Sequence, residues 1–132
     1  MLSEDLILRW CFAFALTQIV ECPVYVFGFG ANVRLAFAAS TITHPIASLL
    51  LPEVWRLVYI AAIGRAPALA LSQIAYLAVG GAIAETFAVV AEAWLFQHCA
   101  GWPVRRALLA SLVANGSSVL IGGLSYLVTG WP

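Results

Sequence analysis

Apolar runs long enough to cross a lipid bilayer follow one another along almost the whole chain, and this limits the fold more than any other feature. A membrane helix needs about 20 mostly apolar residues to traverse a hydrocarbon core of roughly 30 Å. With 132 residues, four such spans and their connections use up the chain and leave no room for a soluble catalytic domain. Composition agrees: 64% of residues are hydrophobic and 9% are charged, against roughly 45–50% and 25% in soluble domains. The expected fold class is all-α, a small polytopic membrane protein built as a four-transmembrane-helix bundle, with residues 1–132 forming one integral membrane domain.

Prolines, glycines and tryptophans place the spans. Trp prefers the membrane interface, and Trp10, Trp55, Trp94, Trp102 and Trp131 fall near the ends of apolar runs. The first span is expected over about 6–29, closed by the turn from Gly28 to Asn32. The second is expected over 33–51, stopped by Pro52, and the fourth over 104–129, opened by Pro103. Residues 66–98 form an apolar run too long for one span. The third span is therefore placed at 79–98, with Pro67 to Leu77 protruding and Gly80-Gly81 as a kink. Glu53 to Ile63 is expected as a short interfacial helix with Glu53, Arg56 and Tyr59 on its wet side.

Charge excludes some functions. Six basic and six acidic residues balance, so nucleic-acid binding has no electrostatic footing. The basic residues are all Arg, which reads as a GC-rich genome, and a bacterial cytoplasmic membrane is the expected location. Arg9, Arg56 and Arg65 stand on one side and Arg34, Arg105 and Arg106 on the other, so the positive-inside rule sets no orientation. Glu4 and Asp5 occupy the place of a basic leader, so the first helix is expected to remain as an anchor. Cys11, Cys22 and Cys99 have no metal or disulfide spacing and are expected as small buried hydrophobes.

The informative exceptions are Glu21, Glu85 and Glu92, which lie inside apolar runs. A charge at the centre of a membrane helix costs about 2.5–3.5 kcal/mol on insertion scales. Such a group must meet a partner, carry a proton or bind something. Counted from the loops that carry Arg34 and Arg105, Glu21 lies about 11 residues deep, His44 about 10, Glu85 about 13 and Asn115 about 9. At about 1.5 Å per residue, each span delivers one strongly polar group to a common layer some 14–20 Å down. Glu92 is expected nearer the surface, roughly 9 Å deep, where it can reach toward water.

Helical spacing turns these groups inward. Thr17, Gln18, Glu21 and Tyr25 form one stripe, Thr41, His44 and Ser48 a second, Glu85 and Glu92 a third, and Ser111, Asn115, Ser118 and Gly122 a fourth. Candidate proton, ion or ligand-binding residues are Glu21, His44, Glu85, Glu92 and Asn115, with Gln18, Tyr25, Thr41 and Ser118 in support. If a metal binds, Glu21, His44 and Glu85 are its expected ligands. Pro23 and Pro45 free the carbonyls of Ile19 and Thr41 close to the same layer. Ser118 with Gly122, and Ala84 with Ala88, have the spacing of close helix packing.

No dinucleotide, P-loop, metalloprotease, nucleophile-elbow or haem motif is present, and no cofactor is expected. The first functional expectation is a subunit or scaffold packing in a larger membrane complex or homo-oligomer, its partners the bilayer and other membrane chains. The alternatives are a proton- or cation-coupled small-molecule transporter and an intramembrane Glu/His metal-dependent enzyme.

Overall fold

The computed structural model describes residues 4–66 and 70–130, leaving aside the side chains of Glu4 and Leu6. The expectations for Pro67, Trp131 and the N-terminal residues fall at or beyond those limits. The described residues are overwhelmingly helical, as expected for an all-α bundle. Helix α1 spans Glu4–Pro23 and continues as a π-helical turn, Val24–Gly28. Helix α2 spans Val33–Pro45, continues as a second π turn, Ile46–Leu50, and passes directly into α3, Leu51–Arg65. Helices α4, Gln73–Ala100, and α5, Val104–Thr129, complete the chain. Four of the resulting rods, Ile7–Gly28, Val33–Arg65, Gln73–Ala100 and Val104–Thr129, are long and apolar enough to cross a membrane.

The overlong element is not the one expected. The second rod runs 33 residues without stopping, about 50 Å at 1.5 Å per residue. Pro52 does not end it, because it falls in the first turn of α3, directly after the π turn. There the register is already shifting from i+5 to i+4 bonding, and a missing N–H is tolerated. Residues 53–63 are therefore a continuation of the second rod and not a separate interfacial helix. Both π turns follow a proline, Pro23 or Pro45, as expected where a ring removes one donor from the ladder.

Local chemistry sets the ends. Asn32 caps α2 by accepting from Arg34 N at 2.9 Å, and Ser72 caps α4 by accepting from Ala75 N at 3.2 Å. Gly101 and Gly130 close α4 and α5 with φ of 66° and 71°, left-handed conformations that disfavour a side chain. Gly80 does not kink α4, which is continuous. It seats Trp55 of α3 instead: a Cβ on residue 80 would stand 2.8 Å from Trp55 Cδ1.

The helices neighbour one another in a ring, α1 against α2, α2 against α4, α4 against α5 and α5 against α1. The core is made mostly of small side chains, Ala36, Ala39, Ala93, Ala107, Ala110 and Ala114, with Tyr25, Phe96 and Trp102 as its large members. Small faces let helix backbones approach closely where apolar burial supplies no drive. The core occupies only the end of the bundle near the 29–32 and 101–103 loops. Among the described residues, none is buried in 5–20, 44–66, 70–87 or 116–130. Trp102 belongs to that core, stacked on Phe96. Cys11 and Cys99 are exposed, not buried.

Candidate functional site

Two glutamates tie the ring together. Glu21 of α1 accepts from Ser40 of α2 at 2.5 Å and from Ser118 of α5 at 2.8 Å. Glu92 of α4 accepts from Thr43 of α2 at 2.7 Å, from Asn115 Nδ2 of α5 at 2.6 Å and from the Tyr25 hydroxyl. Both carboxylates are almost fully buried, at 2% and 1% exposure, so each hydrogen bond replaces water that cannot reach them. All five donors are neutral hydroxyl or amide groups.

These groups border a polar cavity of about 180 Å³, lined by Glu21, Thr43, His44, Glu85, Glu92 and Asn115 with Thr17, Ser48 and Ser118 beside them. By volume it has room for about six waters. No Arg lines it. Glu85 is exposed on its rim and makes no hydrogen bond among the described residues. The His44 ring leans on Trp10 and Phe14, and its Nε2 is buried without a hydrogen-bond partner.

The sealed end lies toward the 29–32 and 101–103 loops. Tyr25 packs on Phe96 at 4.5 Å between ring centroids, Phe96 stacks on Trp102 at 4.8 Å, and the Arg106 guanidinium lies 4.3 Å over Trp102. Arg106 also donates to the carbonyl of Phe29, clamping the two loops together. Toward the chain termini the rings are only half-buried: Trp10 stacks on Phe14, both lean on His44, and the Trp10 indole donates to Ser48 Oγ at 2.8 Å beside the cavity.

The five candidate binding residues, Glu21, His44, Glu85, Glu92 and Asn115, thus line one cavity, and Ser118 and Tyr25 support it as hydrogen-bond donors. Five expectations need correcting. Glu92 is not a shallow group reaching for water; it has the most donors and is the more deeply buried of the two. Gln18 and Thr41 pair with each other at 3.3 Å and do not line the cavity. Among the described residues no three His, Cys, Asp or Glu side chains converge on a metal position, so Glu21, His44 and Glu85 share a cavity without forming a ligand set. Neither Ile19 nor Thr41, whose carbonyls the prolines free, lines the cavity. Gly122 is likewise no close-packing contact, since a Cβ at that position would meet nothing within 4 Å.

Sequence spacing does not single out Ser40 and Thr43. It aligns the α2 stripe on Thr41 and His44, whereas the buried face is Ala36, Ala39, Ser40 and Thr43. The i, i+3, i+4, i+7 spacing of that face and its uniformly small side chains are the signal that could have found it. No protein-family model, curated protein or solved structure matches this chain.

Proposed function

We propose that this protein is a proton- or cation-coupled membrane carrier whose exchange site is the cavity bordered by Glu21, Glu85 and Glu92. The observation that carries the reading is the combination of three carboxylates with no arginine in a cavity closed by buried rings toward the 29–32 and 101–103 loops and only by half-buried ones toward the chain termini. Carboxylates without a protein cation call for a proton or a small cation. A site reached from one face at a time is what alternating access requires, and helices interrupted near the site supply its bending points. Pro23 and Pro45 with their π turns flank this cavity.

A second reading, a subunit packing in a larger membrane complex or homo-oligomer, is favoured by a different observation. Five neutral donors saturate Glu21 and Glu92, a pattern that also holds helices in register. That reading leaves Glu85 without a task.

Proteoliposomes loaded with a pH-sensitive dye separate the two. Under an imposed pH gradient, with valinomycin and potassium balancing charge, the wild type is expected to pass protons well above protein-free vesicles. Glu85→Gln and Glu92→Gln should return the rate to background. Wild-type vesicles that match protein-free ones in potassium alone, with added sodium and with an added organic cation would discard the carrier reading.

A further inference from the structure

Thr43 stands between two cavities. Its Oγ1 donates to Glu92 at 2.7 Å, and the same residue lines an apolar groove of about 920 Å³ between α2 and α4. The groove is walled by Ile42, Ile46, Ile83, Phe87, Val90 and Trp94. Its origin is local. Helix α2 meets α4 at Thr43 and Glu92, and α3 meets it again where Trp55 covers Gly80. Between these two contacts lie Pro45 and its π turn, and the groove runs beside them along α4 from Val79 to Leu95. A volume of this order suits a drug-sized molecule.

We propose that this groove holds the apolar body of a lipid-soluble organic cation, whose charge points past Thr43 toward the carboxylates of the polar cavity. The inference rests on the carrier reading and names its solute. Charge complementarity selects the occupant. Glu21, Glu85 and Glu92 all border the adjoining cavity and no Arg does, so an ionised carboxylate there repels an anionic amphiphile and attracts a cationic one. One positive charge on an apolar frame satisfies both compartments. The aromatic faces of Phe87 and Trp94 in the groove wall favour the same sign. When the cation displaces a proton, the carboxyl O–H bond breaks, the proton passes to cavity water and the carboxylate pairs with the cation; no electrons are exchanged.

Tetraphenylphosphonium and tetraphenylborate share one shape and carry opposite charges, so the pair isolates the charge. With the wild type in lipid nanodiscs, saturable tetraphenylphosphonium binding is expected above protein-free discs, with proton release read by a soluble pH dye. Tetraphenylborate should show no saturable binding. Ile83→Trp, which fills the groove at a position 40% exposed, should weaken binding by about tenfold or more. Leu124→Trp, which adds bulk at an exposed position of α5 outside the groove, should leave binding unchanged. Equal binding of the two ions, no saturable binding, or an Ile83→Trp variant that binds like the wild type overturns the assignment. The comparison of the two ions on the wild type stands whether or not either variant folds. Binding in nanodiscs without proton flux in vesicles overturns the carrier reading instead, and flux without binding overturns this inference alone.

Discussion

At the residue scale the notable arrangement is the uneven treatment of three glutamates. Glu92 takes three donors and Glu21 two, while Glu85 takes none among the described residues. Two carboxylates are held in place and the third stands ready at the rim. Interhelical hydrogen bonds inside membranes average about 0.6 kcal/mol and reach about 1.7. Thr43→Val keeps the shape and deletes one donor to Glu92, so it should lower stability by about 1 kcal/mol in a mild denaturant titration. Glu85→Gln breaks no hydrogen bond and should leave stability unchanged. Equal losses for the two variants would refute this division of roles. Glu21 and Glu85, which line the cavity, are legible as exceptions in the sequence because an acid in an apolar run has few reasons to be there. The rank of Glu92 is not legible, because depth counted along one helix ignores where the other helices bring their donors.

At the element scale the decisive feature is the unbroken second rod, Val33–Arg65, which carries Pro45 and its π turn and is braced on α4 through Trp55. The indole donates to the carbonyl of Tyr76 at 3.2 Å and lies against the rings of Tyr59 and Tyr76. Gly80 makes room for it. Gly80→Val should therefore cost about 1–3 kcal/mol by overpacking, measured as a lower melting temperature in detergent. Gly81→Ala meets nothing within 4 Å and should be neutral or stabilising by up to about 1 kcal/mol, since alanine favours a helix over glycine. If the two substitutions behave alike, Trp55 is not seated as described. The sequence marks both glycines equally; which one carries an aromatic ring depends on the path of a helix some twenty residues away.

For the whole molecule the main property is the contrast between its two ends. One end is packed with alanines and plugged by Tyr25, Phe96 and Trp102; the other has no buried residue among those described. In a background lacking Cys11, Cys22 and Cys99, Ser48→Cys and Ala84→Cys should react with a membrane-impermeant thiol reagent from the face that carries the chain termini, and not from the other. Ala110→Cys, which lies in the sealed core, should react from neither. Labelling of Ala110→Cys at the rate of Ser48→Cys would show that the plug does not exclude water.

Fold class and the existence of a polar centre follow from composition and periodicity alone, because hydrocarbon permits so few backbone solutions and tolerates so few charges. Those constraints act on each helix separately, so Glu21, Glu85, His44 and Asn115 can be picked out one span at a time. What they do not set is rotation and bend. Whether α2 presents Thr41 or Thr43, whether Pro52 stops a helix or follows a π turn within one, and which end of the bundle closes all depend on contacts between rods. Those contacts rest on small side chains that carry little pattern of their own, and on two glutamates whose donors lie on other rods, two for Glu21 and three for Glu92.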